Sequence, residues 1–211
     1  MRLRGLYAIT PAWTDSARVM DAVSAALDGG ASAVQFRRKH LAGATLLDEA
    51  QSMASLCRSR GVPFFVNDDP LLALACSADG VHLGRNDGDV AQARELLGPG
   101  KLIGVSCYGD IGRVQAAEVA GADYVAIGSL FPSGSKPEAQ PASLATLTQA
   151  KLAIRIPLVG IGGITRENAG AVKLAGADMI AVIGALFESD SVRETASFFS
   201  AMWEGQDVQS E

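Results

Sequence analysis

A single-domain (β/α)8 barrel is the fold that this chain of 211 residues predicts, on three observations. Short runs rich in Val, Ile and Ala recur along its whole length, each followed by polar or glycine-bearing residues and then by a stretch of helical periodicity. The segments that precede every second run repeat one another, and no linker, low-complexity stretch or shift of composition divides the chain. Such alternation implies parallel strands joined by crossover helices, because parallel neighbours cannot be linked by a tight hairpin. Eight units in this length fit the TIM-barrel architecture at its compact end. A doubly wound open sheet is the other fold that the same alternation permits.

The predicted strands are LYAIT at 6–10, AVQFR at 33–37, PFFVN at 63–67 and GVHLG at 80–84, then LIGVS at 102–106, YVAIG at 124–128, PLVGI at 157–161 and MIAVI at 179–183. Helical periodicity follows them, including Asp15–Asp28, Gly43–Arg60, Gln115–Ala120 and Asn168–Leu174. The internal echo is GGASAVQ, CSADGVHL, AGADYVAI and AGADMIAV, which enter strands two, four, six and eight. Each ends a helix with small residues, which can take the left-handed conformation or let helix and strand approach closely. The barrel is assigned to residues 1–203, and the polar stretch 204–211 reads as a flexible C-terminal tail.

Composition limits the function. With 48% apolar and 19% charged residues the chain can bury a substantial core. A net charge of -5 argues against a nucleic-acid surface, while leaving room for a local basic site for a phosphorylated small molecule. Cys57, Cys76 and Cys107 are odd in number and far apart, unlike a disulfide framework or zinc site, so a reducing cytoplasm is the expected setting. The apolar stretch after Met1–Arg4 is broken at Pro11, too early for a signal peptide or membrane span. A soluble, uncleaved protein without nucleic-acid or membrane partners is expected, and a homo-oligomer is compatible with the sequence.

Barrel active sites lie at the C-terminal ends of the strands. There Gln35, Arg37 and Lys39 alternate onto one face of the second strand, as a diphosphate grip would require, or as a solvated strand end would also show. Arg38 and His40 alternate the other way, toward helices or solvent. Asn67 and Asp68 end the third strand, and Asp87 closes HLGRND after the fourth. Two carboxylates on neighbouring strand ends can hold one Mg2+, an ion that takes few protein oxygens, although each alone also reads as a cap or turn residue, and together as a general acid–base pair. Asp69, beside Pro70, reads as a helix start. His82, lacking a second ligand-like histidine nearby, reads as structural.

Ser106 ends the fifth strand and can donate to a phosphate oxygen, and no lipase-like or protease-like constellation surrounds it. Ser133, Ser135 and Lys136 lie in the loop after the sixth strand, where hydroxyls, amides and a cation suit phosphate as well as an ordinary turn. Gly162 and Gly163 precede a helix after the seventh strand, and Ile183 and Gly184 end the eighth, where barrels commonly bind phosphate.

In order and spacing, YAIT, QFRRK, VNDD, DGVHLGRND, GVS, GADYVAIGSLFPSGSK, VGIGGIT and GADMIAVIGALF resemble thiamine phosphate synthases over nearly the whole chain. The resemblance implies a transferase of thiamine biosynthesis. It would join 4-amino-2-methyl-5-pyrimidinylmethyl diphosphate to 4-methyl-5-(2-phosphoethyl)thiazole, giving thiamine phosphate and diphosphate by a Mg-assisted dissociative substitution. It further implies that Gln35, Arg37, Lys39, Asn67, Ser106 and Lys136 bind the pyrimidine diphosphate and that Asp68 and Asp87 hold Mg2+. Ser133, Ser135, Gly163, Ile183 and Gly184 would then meet the thiazole phosphate, and Arg37, Lys39, Ser106 and Lys136 would be the catalytic set. The chain departs from the family at Ser133 and Ser135, where Thr is common, and at Gly184, where Ser is common. Arg85 replaces a common Gln, and Cys107-Tyr108 a small residue and His. A thiazole tautomerase-like paralogue and a non-catalytic phospho-ligand-binding barrel are the alternatives.

Overall fold

The structure, a computed structural model, describes residues 3–132 and 142–204. Its strands are β1 (Gly5–Ile9), β2 (Ala33–Phe36), β3 (Phe64–Asn67), β4 (Gly80–Leu83), β5 (Leu102–Tyr108), β6 (Tyr124–Ile127), β7 (Leu158–Ile161) and β8 (Met179–Val182). They pair in chain order, all parallel, and β1 also pairs with β8, so the sheet closes on itself. That closing pair excludes the open doubly wound sheet.

The helices among the described residues are α1 (Ser16–Asp28), α2 (Gly43–Ser59), α3 (Pro70–Ala75), α4 (Val90–Leu97), α5 (Ile111–Val119), α6 (Leu144–Ala153), α7 (Ala169–Leu174), α8 (Gly184–Phe187) and α9 (Val192–Ala201). Asp15, Asp69, Asp89, Asp110, Ser143 and Ser191 cap them by accepting from the backbone N–H three residues on. The sequence places the start of α5 at Gln115; it starts one turn earlier because Asp110 accepts from Arg113 N at 3.0 Å. A ninth helix, α9, packs on α1 and β1 and covers part of the barrel wall.

Alternation along the strands divides the core in two. One set of side chains, with Tyr7, Phe65, Tyr124 and Met179, fills the barrel interior; the other, with Leu6, Val34, Val81, Val125 and Ile180, packs against the helices. The register Asn67↔His82, His82↔Gly104 and Gly104↔Tyr124 carries the inward face across four strands. Gly104 is required there, since a Cβ on it would overlap the Tyr124 ring.

The echo has a physical cause. Gly30, Gly121 and Gly176 have φ of +90°, +88° and +105°, and Ser77 reaches +56°, so all four take the left-handed turn that ends a helix. The acids that follow clamp the preceding strand: Asp79 accepts from Phe64 N at 2.9 Å, Asp123 from Ile103 N at 2.7 Å and Asp178 from Leu158 N at 2.8 Å. Ser32 does the same work in the first unit, donating to Leu6 O at 3.0 Å. Among the described residues no helix is long and apolar enough to cross a membrane.

Candidate active site

Parallel strands place all their C-terminal ends on one rim, and the residues at the ends of β2, β3 and β4 meet there. Lys39 Nζ lies 3.1 Å from Asp68 Oδ2. Asp68 has φ +67°, a left-handed conformation that costs a non-glycine residue energy and that occurs at functional sites more than elsewhere. Asp87 Oδ2 accepts from Gly84 N at 2.9 Å, which folds its carboxylate back over the end of β4. A Cβ on Gly84 would sit 2.5 Å from that oxygen and 3.7 Å from Asp68 Oδ1, so the missing side chain is what lets the two carboxylates converge. Burial pushes the Asp68 carboxyl up, but the Lys39 ammonium, with bonds from Asp87 and Asn67, outweighs it and holds the group below the usual carboxylate range. Asp87 is raised, by burial first and then by the Asp68 charge beside it.

This donor set fits Mg2+, which binds through one or two carboxylates and keeps its other positions for waters and phosphate oxygens. The two carboxylates are the whole set: among the described residues no group of three or more His, Cys, Asp and Glu that could hold a metal ion is gathered, here or elsewhere.

Arg37 is positioned by its backbone. Thr10, buried at the end of β1, accepts from Arg37 N at 2.8 Å and donates to Arg37 O at 3.3 Å. Its neighbour Arg38 turns to the helix side, as alternation predicts, yet is buried rather than solvated: Nε faces Glu49 Oε1 of α2 at 2.6 Å, and Nη1 donates to Pro11 O and Trp13 O. Ser16 donates to the same carboxylate at 2.5 Å. Arg38 thus ties the loop after β1 to α2 and leaves Arg37 and Lys39 on the rim. His40 is exposed. A cleft of about 280 Å³ opens here, lined by Arg37, Lys39, Asn67 and Asp68, with Leu46 and Leu72 behind.

Gln35 and Ser106 lie deeper, at the top of the barrel interior. Gln35 Nε2 donates to Tyr7 Oη at 3.0 Å, Tyr7 Oη is 2.8 Å from Tyr124 Oη, and Tyr124 Oη is 3.0 Å from His82 Nδ1. His82 Nε2 is 2.8 Å from Ser106 Oγ. His82 is therefore in contact with a candidate site residue, which its lone position in the sequence gave no reason to expect. The pair does not have the arrangement of a nucleophile with its base: behind His82 stands the Tyr124 phenol, whose pKa burial drives well above 10, where such a triad has a carboxylate. Arg113 donates to Ser106 O and Gly84 O, binding the ends of β4 and β5 together. Arg85 and Tyr108 meet nearby, with the Arg85 guanidinium 4.6 Å from the centre of the Tyr108 ring.

At the ends of β6 to β8 the geometry is that of close backbone packing. Gly162 and Gly163 have φ of +101° and +61°, and a Cβ on Gly163 would lie 2.5 Å from Pro132 O. Phe131 N donates to Gly162 O at 3.1 Å, and Asn168 Nδ2 to Gly163 O at 2.9 Å. The glycine pair is thus required by the passage of residues 129–132 over it. Ile183 precedes the short helix α8, whose first residue is Gly184; both are partly accessible on the same rim. Ser133, Ser135 and Lys136 lie outside the described residues, as do 205–211 of the expected tail. The sequence reading missed Thr10, Tyr7, Tyr124 and Gly84; the inward alternation of β1 and β6 could have pointed to the two tyrosines.

Comparison with known proteins bears on this rim. A family described as thiamine monophosphate synthase matches residues 6–186. The chain is 45% identical over 201 residues to a thiamine-phosphate synthase of Methylobacillus flagellatus, covering 95% of this chain and 96% of that one. It is 48% identical over 202 residues to one from Azoarcus sp., with 96% and 98% covered. A solved structure, a thiamine phosphate pyrophosphorylase from Pyrococcus furiosus, superposes with a TM-score of 0.84 at 35% identity, over 94% of both chains.

Proposed function

The chain belongs to the thiamine monophosphate synthase family, and from that premise we propose that it joins 4-amino-2-methyl-5-pyrimidinylmethyl diphosphate to 4-methyl-5-(2-phosphoethyl)thiazole, releasing diphosphate. Enzymes of this family are transferases, so what the proposal adds is the substrates and the mechanism. The carrying observation is the convergence of Asp68 and Asp87 beside Gly84, with the Lys39 ammonium 3.1 Å from Asp68. An enzyme that only tautomerises the thiazole phosphate would have no use for it.

In this reading Asp68 and Asp87 hold Mg2+, which when bound supplies positive charge against the diphosphate oxygens. Arg37, Lys39 and Lys136 add their charges to the same leaving group, and Asn67 donates to it. Gln35 and Ser106 hold the pyrimidine. With the negative charge of the departing diphosphate stabilised, the C–O bond breaks and a pyrimidinylmethyl cation forms. The thiazole nitrogen captures that cation with its own lone pair, so no strong general base is required. Ser133, Ser135, Gly163, Ile183 and Gly184 position the thiazole phosphate, Gly184 through backbone alone. Holding both partners in one cavity limits capture by water. A cytoplasmic setting with small-molecule partners accords with buried cysteines, of which Cys57 and Cys107 are pushed up to about 12 by burial.

Purified protein, both substrates and Mg2+ should give thiamine phosphate and diphosphate in equal amounts, read by chromatography. Absence of product where both ligands bind would leave a phospho-ligand-binding barrel as the reading.

A further inference from the structure

Gln35 and Ser106 belong to β2 and β5, which have β3 and β4 between them in the sheet, yet an unbroken line of hydrogen bonds joins them through three side chains that the proposed mechanism does not use. Every link is between 2.8 and 3.0 Å: Gln35 to Tyr7, Tyr7 to Tyr124, Tyr124 to His82 and His82 to Ser106. Tyr7 and Tyr124 are 1% exposed, Gln35 3% and His82 6%, so bulk water has little access to compete for these groups. Packing holds the line in place. The Tyr124 ring meets Tyr7 and Phe65 edge-on and stacks on His82 at 5.5 Å, in the space that Gly104 leaves free. Building a chain of phenols into a barrel core is costly unless each is satisfied, and here each is.

The chain has a direction. An amide nitrogen can only donate, so Gln35 Nε2 gives its proton to Tyr7 Oη. The bonds of Tyr7 Oη are to Gln35 Nε2, which can only donate, and to Tyr124 Oη, so the Tyr7 proton goes to Tyr124, and Tyr124 passes its own to His82 Nδ1. An imidazole that accepts at Nδ1 carries its proton on Nε2, and that N–H donates to Ser106 Oγ. The outward ends follow: Gln35 is left presenting its carbonyl oxygen, an acceptor, and Ser106 its hydroxyl proton, a donor. The two ends are linked, since turning the amide over requires every proton in the line to reverse and makes Ser106 an acceptor.

Resting on the reading of Gln35 and Ser106 as contacts of the pyrimidine substrate, we propose that Tyr7, Tyr124 and His82 are positioning residues that set the polarity of that subsite. It takes a ring bearing an amino donor on the Gln35 side and an acceptor on the Ser106 side, and disfavours the ring with an oxo group in place of the amine.

Two measurements test this. The chain has only two histidines, His40 and His82, so 15N-histidine NMR with an H40Q variant for assignment reads the His82 tautomer directly. The expected proton is on Nε2 alone; a proton on Nδ1, or on both nitrogens, would overturn the proposed direction. In steady-state kinetics, Tyr7→Phe and Tyr124→Phe should each raise KM for the pyrimidine diphosphate about tenfold, the worth of one hydrogen bond to a fixed group. They should leave KM for the thiazole phosphate unchanged, and should narrow the preference for the amino over the oxo ring, read as KM against the inhibition constant of the oxo analogue. A role in packing alone would lower thermal stability and shift both KM values together. Gln35→Ala and Ser106→Ala separate the two levels of the argument. If they leave the pyrimidine KM unchanged, the subsite reading is wrong. If they raise it while both phenylalanine variants do not, only the positioning role fails.

Discussion

Asp68 and Asp69 are adjacent carboxylates with different surroundings. Asp68 takes φ +67° and turns its side chain to Lys39 and Asp87, whereas Asp69 has extended backbone and accepts from Leu72 N at 2.9 Å, capping α3 behind Pro70. Replacing Asp68 or Asp87 by Ala should therefore reduce Mg-dependent turnover by about a hundredfold or more, the scale on which a charged transition-state contact is lost. The same rates measured against Mg2+ concentration should show weakened metal dependence. Asp69→Ala should instead cost about 1 kcal/mol of stability in a denaturant titration, as loss of an N-cap does, with Mg dependence unaltered. If the two carboxylate variants kept near-normal rates, the metal assignment would be wrong. The separate duties of Asp68 and Asp69 are legible in NDDP, because a Pro at the first helical position marks Asp69 as the cap. The role of Gly84 is not, because it depends on where the Asp87 and Asp68 carboxylates come to lie.

At the scale of elements, the four echoes are strand clamps. Each turns the chain with a left-handed residue and then uses a carboxylate, or Ser32 in the first unit, to hold the start of the preceding strand. Asp123 Oδ2 accepts from Ile103 N at 2.7 Å and from Arg94 Nη2 at 2.6 Å, and Asp178 Oδ2 likewise from Leu158 N and Lys151 Nζ. Asp123→Ala leaves a strand N–H and a guanidinium without their partner, and thermal or denaturant unfolding should show a loss of about 2 kcal/mol. Asp123→Asn should recover part of it, because an amide oxygen can still accept from Ile103 N. The repeat itself is visible in the sequence, but its small residues suggest only a turn. The acid's function becomes clear once the preceding strand is seen to start beside it.

The whole molecule closes at β1 and β8, and α9 packs on β1 and α1 beside that closure. Gly29, at the end of α1, has no side chain because Arg193 O and Ala196 of α9 occupy that space. Phe199, on the inner face of this helix, is fully buried. A chain ending before Val192 would expose that face, including a phenylalanine site worth about 2–3 kcal/mol in burial alone, and should lose its cooperative thermal transition. A truncated protein that unfolded as sharply as the full chain would mean that α9 is dispensable. By itself the sequence determined the eight-unit alternation and the strand ends that carry Gln35, Arg37, Lys39, Asn67, Asp68, Asp87 and Ser106, because side-chain alternation and local turn chemistry are properties of neighbouring residues, and the order and spacing of its motifs carried the family resemblance. Only the tertiary structure decided that the sheet closes, that Arg38 is buried against Glu49, and that Tyr7, Tyr124 and His82 join Gln35 to Ser106. Those contacts form between residues as far apart as Gly5 and Met179, or Tyr7 and Tyr124, and no local pattern records a distance that only barrel closure creates.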